Sequence, residues 1–115
     1  MKQLIEIRAY NLKPGTRAEF HRLVLEESVP MLKRWGVDVV AFGPSLHDDD
    51  SYYLIRAYAS PAERQSSQDA FYGSAEWRQG PREAIVSKIE SDTSIVIELD
   101  VSAVNAMRQG ETINE

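Results

Sequence analysis

A chain of 115 residues and 13.0 kDa has room for one hydrophobic core and not for two. Its formal charge of −5 leaves no basic stripe to displace phosphate counterions, which excludes nucleic acid as a partner, and the lack of cysteine excludes disulfides, thiolate metal sites and cysteine nucleophiles. No apolar run approaches the roughly 18 residues that cross a bilayer, and the first residues enter a strand pattern at once, so a cytoplasmic protein with no membrane partner is expected.

The elements follow from period and punctuation. Residues 4–10 alternate, with Ile5, Ile7 and Ala9 on one side and Leu4, Glu6, Arg8 and Tyr10 on the other, the two-residue period of a strand. Lys13-Pro14-Gly15 makes a turn, and Thr16 with Glu19 fits a capping box that opens a helix. Phe20, Leu23, Val24, Met31 and Leu32 carry its apolar stripe, and Trp35-Gly36 ends it. Pro30, whose ring clashes with the preceding turn, predicts a kink near residues 28–30.

The β-branched and aromatic segments 37–43 and 52–58 read as the second and third strands, joined by a hairpin loop from Pro44 to Asp50. Ser60-Pro61-Ala62-Glu63 is a second capping box with proline at the first helical position, and this helix runs toward Gly73. Ala62, Ser66 and Ala70 predict a row of small side chains on its inner face. Ser74 caps a short turn through Trp77, Pro81 starts a further helical piece to about Ile89, and residues 93–99 form a fourth strand. The domain thus spans residues 1–100, and residues 101–115 read as a polar tail or an arm that docks on a partner.

The order strand, helix, strand, strand, helix, strand is the ferredoxin-like βαββαβ arrangement of an α+β protein, with an antiparallel four-stranded sheet in the order 4-1-3-2. The tetrapeptide IRAY, at Ile7–Tyr10 and again at Ile55–Tyr58, falls on the two strands that this topology sets side by side at the centre. Pairing Ile7 with Ile55 brings Glu6 opposite Arg56, whereas a shift by two sets Arg8 against Arg56, so the first register is expected. Arg8 then comes opposite Leu54 and within reach of Glu98.

Alternation also sorts the sheet into two faces. The aliphatic one, with Ile5, Ile7, Ala9, Val39, Ala41, Ile55, Ala57, Ile95, Ile97 and Leu99, is expected to meet the helices. The other mixes Glu6, Arg8, Arg56 and Glu98 with Tyr10, Phe42, Tyr52, Leu54 and Tyr58. Left in water it is an apolar patch of the kind that marks an interface, so the same face of a second copy is expected to cover it, giving a homodimeric α+β barrel.

His21, at the margin of the first helix's apolar stripe, is placed to act as a general base in a pocket between helix and sheet, with Tyr10 or Tyr53 as a second proton carrier. The plainer alternative is a partly exposed helical histidine. Trp35 and Trp77, with the tyrosines, either wall an aromatic pocket for a small organic ligand or fill core. Arg8 and Arg56 clamp an anion unless Glu6 and Glu98 neutralise them. His47-Asp48-Asp49-Asp50 offers carboxylates to a hard cation but matches no calcium loop and reads as a solvated hairpin tip. No phosphate loop, dinucleotide fingerprint or metal-ligand spacing occurs, so neither a cofactor nor a metal is expected.

The segments EIRAYNLKPGTRAEF, PMLKRWGVDVVAFGP and YYLIRAYASPAERQSSQDAFYGSAEW together resemble a NIPSNAP-type domain over residues 3–99. The resemblance implies kinship with the dimeric α+β barrel superfamily, which also holds cofactor-independent monooxygenases, isomerases and haem-handling enzymes, and it carries no catalytic motif over to this chain. Two functions are expected in parallel. One is a cofactor-free oxygenase or isomerase acting on a small, partly apolar metabolite; the other is a binding or scaffolding module with no reaction. A pocket of roughly 300 Å³ or more that holds His21 or a tyrosine hydroxyl separates the first from the second.

Overall fold

In the computed structural model, which describes residues 1–108, the alternation around Ile5 and Ile7 becomes β1 (Lys2–Leu12), and the second IRAY copy becomes β3 (Ser51–Tyr58) beside it. They pair antiparallel in the expected register, with Ile7 facing Ile55, Glu6 facing Arg56 and Arg8 facing Leu54. β2 (Asp38–Pro44) adds to β3, and β4 (Ile89–Asp100) adds to β1, so the sheet order 2-3-1-4 is the ferredoxin-like one. β4 begins at Ile89 rather than Thr93, because Ile89 reaches Leu12 and extends the ladder across an irregularity at Asn11 and Leu12.

The first helical segment runs through α1 (Arg17–Leu23), a π-helical turn (Val24–Ser28) and α2 (Val29–Arg34). The wide turn lies directly before Pro30, whose ring and missing N–H cannot join a regular ladder, so the expected kink takes the form of a π turn. Gly36, at φ 79°, closes α2, and the N–H groups of Gly36 and Val37 return to the carbonyls of Lys33 and Leu32 at 3.0 Å each. Thr16 does not form the expected capping box. Its hydroxyl donates to the Lys13 carbonyl at 2.7 Å, and Glu19 pairs with Arg22 instead. Ser60 does cap α3 (Pro61–Tyr72), accepting from the Glu63 N–H at 3.1 Å. Ser74 caps α4 (Ala75–Gln79) through the Trp77 N–H at 3.2 Å, and α5 (Arg82–Val86) follows.

The two faces of the sheet are exchanged relative to the alternation argument. Tyr52, Leu54 and Tyr58 pack with Phe20, Leu23, Val24 and Leu32 of the first helical segment and with Phe71, Trp77 and Ile85 of the second. Glu6 and Arg56 lie on this same helix-covered side, 0% and 1% exposed. A mixed face tolerates burial because its charges close on each other and the covering helix supplies the remaining partners. The inner side of α3 accordingly presents Arg64, Gln68 and Phe71, while Ala62, Ser66 and Ala70, expected to face inward, are exposed. Leu54 is therefore covered by helices and not by a second copy.

The aliphatic face is the open one. The segment after Asp100, expected as a polar tail or docking arm, starts with α6 (Val101–Ala106), which covers one end of it. Val104 is 0% exposed in a cluster with Ile5, Val40, Ala41, Ile55 and Ala57, and Arg108 donates two hydrogen bonds to Asp38, at 2.7 and 2.9 Å. Residues 109–115 of that expected tail lie outside the described residues. Beyond α6, Ile95 and Ile97 remain 58% and 39% exposed. No helix among the described residues is long and apolar enough to cross a membrane.

Candidate functional site

Exchanging the faces puts the aromatic and charged side chains of β1 and β3 under the helices, where they wall a cavity. It has a volume of about 350 Å³ and lies between β1, β3 and the start of β4 on one side and the helices on the other. Arg8, Tyr10, Phe20, Tyr52, Tyr72 and Trp77 line it, with Leu54, Ile85 and Ile89 completing an apolar wall. The rings brace one another: Phe20 stands edge-on to Tyr52 with centroids 5.0 Å apart, and Tyr72 stands edge-on to Trp77 at 5.5 Å.

Of the proton carriers expected from the sequence, Tyr10 lines this cavity and His21 does not. His21 sits beside a separate hollow formed with Gly15, Arg17 and Pro44, but its Nδ1 lies 2.6 Å from the hydroxyl of Tyr52, a residue of the cavity wall. Tyr53 lies on the opposite face of the sheet, packed against the α6 cluster and lining a shallower depression with Ser45 and His47. The tyrosine that accompanies His21 is thus Tyr52. Burial pushes the Tyr52 phenol up from its ordinary value, and burial, with Tyr72 nearby, pushes Tyr10 up to about 12. Both stay protonated hydrogen-bond donors near neutral pH.

Trp77 is buried against the cavity, whereas Trp35 is 40% exposed outside it, donating its indole N–H to Glu76 at 2.9 Å. His47 is an exposed part of the hairpin tip, and among the described residues no group of three or more His, Asp or Glu side chains is arranged to hold a metal ion. Arg17 gives that hairpin its shape, donating to the carbonyls of Ser45, Asp48 and Ser51 at 3.1, 2.7 and 3.1 Å.

Beside the cavity Glu6 holds a cluster of cations. Arg56 donates to its Oε1 through Nε at 3.0 Å and a terminal nitrogen at 2.5 Å, while Arg64 and Arg8 reach Oε2 at 2.6 and 3.2 Å. Gln68 donates to both oxygens at 3.1 Å. Arg56 also donates to the Tyr72 hydroxyl at 2.7 Å. The expected contact of Arg8 with Glu98 does not form: Glu98 pairs in register with Leu4, and the Nε of Arg8 donates to Ser94 at 3.1 Å. Arg64, Gln68 and Tyr72 were not legible as site residues, although Arg64 and Gln68 stand one helical turn apart, the spacing that lets two side chains converge on one point.

Burial alone would raise the Glu6 carboxyl, but the Arg56 guanidinium, with Arg64, Gln68 and Arg8, outweighs it and holds the group at about 2 against an ordinary 4.5. A depressed acid stabilises the fold above its unfolded pKa and loses that contribution as pH falls through the folded value. Glu6 should therefore contribute about 3 kcal/mol near neutrality, of which about 2 kcal/mol is gone by pH 3. Carbon-13 NMR of the Glu6 carboxyl checks this directly: the group should still be ionised at pH 3.5, and a midpoint above about 4 would contradict the arrangement.

An antiparallel sheet of this order, helices on one face and a cavity beneath them define a ferredoxin-like α+β protein. The NIPSNAP family model matches residues 5–100, so the chain belongs to the NIPSNAP family. A NIPSNAP family protein of unknown function from Agrobacterium tumefaciens is similar in structure, with a TM-score of 0.77 and 19% identity over 95% of this chain and 92% of that one. A NIPSNAP domain protein from Burkholderia xenovorans gives a TM-score of 0.71 and 20% identity over 82% and 91%. A candidate antibiotic biosynthesis monooxygenase from Nitrosomonas europaea gives 0.66 and 12% over 86% and 91%. Comparison with curated proteins finds no significant sequence match.

Proposed function

We propose that this NIPSNAP protein is a cytoplasmic homodimer that binds a small, partly apolar metabolite in the cavity and acts on it as a cofactor-free oxygenase or isomerase. The observation that carries the reading is the cavity of about 350 Å³ whose wall includes Tyr52, with His21 bonded to the Tyr52 hydroxyl. Such a pair relays a proton in one concerted step: the phenol oxygen takes the substrate proton as its own proton passes to the His21 imidazole, so no free phenolate forms in a site that disfavours the charge. Removal of a proton from a substrate carbon leaves a carbanion. It either takes the proton back at another carbon, which is isomerisation, or gives electrons to dioxygen, which is oxygenation. The similarity to a candidate monooxygenase supports the second branch at the level of fold.

Both branches share the first step, so deuterium wash-in tests them together. Phenols, aryl ketones and enones incubated with the protein in D₂O should exchange an acidic C–H in at least one case, as read by proton NMR, and Tyr52→Phe should slow that exchange by about 100-fold or more. An oxygen electrode then distinguishes the branches. A module that binds without reacting is favoured by a different observation, the upward shift of both Tyr10 and Tyr52, which makes them donors that hold a ligand more readily than groups that exchange protons at neutral pH. Ligand binding with no protein-dependent exchange across the set would decide for it.

A further inference from the structure

We propose that the cavity is built for a monocarboxylate with a flat apolar body, its carboxylate seated against Arg8 and the Tyr72 hydroxyl. This rests on the small-molecule reading of the cavity and adds the chemical class of the ligand.

The first ground is an imbalance of charge. Glu6 is a single carboxylate in contact with Arg8, Arg56 and Arg64. A carboxylate offers about four acceptor positions, and the contacts from these arginines and Gln68 occupy them. The cluster therefore keeps cationic charge that Glu6 does not neutralise. Arg56 is enclosed and bonded to Tyr72, and the Arg64 side chain, 25% exposed, reaches water. Arg8 is the guanidinium of the cluster that lines the cavity.

The second ground is the hydrogen-bonding state of the lining. Arg8 has five N–H donors, of which one serves Ser94 at 3.1 Å, one faces the Tyr10 hydroxyl and one reaches Glu6 at 3.2 Å, the longest of the guanidinium contacts to that carboxylate. Charge-assisted bonds of this kind settle near 2.7–2.9 Å, so Arg8 retains donor capacity for a closer anion. Tyr72 accepts from Arg56 at 2.7 Å, which leaves its own O–H to be donated, and Tyr72 lines the cavity beside Arg8. Tyr10, also in the wall, stays protonated. The inner lining thus consists of donors. Its carboxylates, Glu90 and Asp92, stand at the exposed rim on β4.

The third ground is shape. The remaining walls are the rings of Phe20, Tyr52 and Trp77 with Leu54 and Ile85, surfaces that suit a flat apolar body. The site would then hold one negative charge at Arg8 and exclude water from the rest.

The experiment uses the intact chain and two probes of the same size, 2-naphthoate and its neutral amide, with affinities from calorimetry at pH 7 and location from NMR shift changes around Arg8 and Tyr72. The acid should bind at least about 10-fold more tightly than the amide, as expected for a charge-assisted bond. Arg8→Gln should bring the two affinities together, with the acid losing more than the amide. Should Arg8→Gln fail to fold, Tyr72→Phe and Arg8→Lys stand in, each expected to reduce the acid preference by about threefold or more. Equal binding of acid and amide, or an acid preference that survives these substitutions, overturns the carboxylate site and leaves the small-molecule reading intact. Binding of neither probe overturns both.

Discussion

Replacing Glu6 with alanine should lower the stability of the folded chain by at least about 4 kcal/mol. Breaking a buried ion pair costs about 3–5 kcal/mol because the surviving partner keeps its charge without a counter-charge. Here the survivors are three guanidinium groups that share this carboxylate. The Arg56 side chain is 1% exposed and has no route to water, so most of the cost falls there, while Arg64 and Arg8, at 25% and 19%, can turn outward. Against a usual domain stability of about 5–15 kcal/mol, that loss removes a quarter or more of what holds the fold together. Removing both charges separates stranded charge from lost attraction. Glu6→Leu combined with Arg56→Leu should recover at least about 2 kcal/mol of the single-variant loss, because apolar replacement of a buried pair is often close to neutral. Urea unfolding midpoints measure all of these, and a loss below about 1 kcal/mol for Glu6→Ala would show that the cluster is solvated in a way its burial does not suggest.

The same carboxylate explains what was legible in the sequence and what was not. The central register could be read, since only one alignment of the two IRAY copies sets Glu6 against Arg56 and keeps Arg8 away from it, and that alignment is present. The direction in which this pair points could not. Alternation reports that two faces differ and leaves open which one the helices cover, and the rule that aliphatic means internal fails where charges can be satisfied inside. The satisfying groups come from α3, far along the chain, and Arg64 and Gln68 look like ordinary surface residues until Glu6 is placed beneath them. That one inversion propagates to the site. Because the strand period is two, exchanging the faces of β3 moves Tyr53 out of the helix side and brings Tyr52 in, so His21 meets Tyr52 and not Tyr53. α6 was missed for a related reason. Val101, Val104 and Met107 are the large apolar side chains of a stretch that otherwise holds Ser102, Ala103, Asn105 and Ala106, and three-residue spacing over so short a segment carries little periodicity to detect.

In solution the intact chain should have twice the 13.0 kDa mass of a single copy, and Ile95→Lys should return it to one. The expectation no longer rests on the mixed face, which the helices cover, but on the aliphatic one. Along β4 the residues on that side are Ser91, Thr93, Ile95, Ile97 and Leu99, none charged, whereas Asp92, Glu98 and Asp100 fall on the other side. Ile7 of β1 lies beside Ile95, and α6 covers only the far end of the face. A contiguous exposed apolar strip of this kind marks an interface, and a second copy brings a strip of matching chemistry to it. Twofold symmetry sharpens the test, because one substitution enters the interface twice. If each buried lysine costs about 2 kcal/mol, the dimer constant should weaken by about 1,000-fold. Ile95 is 58% exposed within one copy, so the variant should keep its fold, and its circular dichroism should match that of the parent. Val96→Lys supplies the control: Val96 is 40% exposed on the opposite side of the same strand, and its replacement should leave the mass doubled. Sedimentation at micromolar concentration reads both variants. A parent chain that sediments as one copy, or an Ile95→Lys variant that still pairs, would assign the strip to some other occupant.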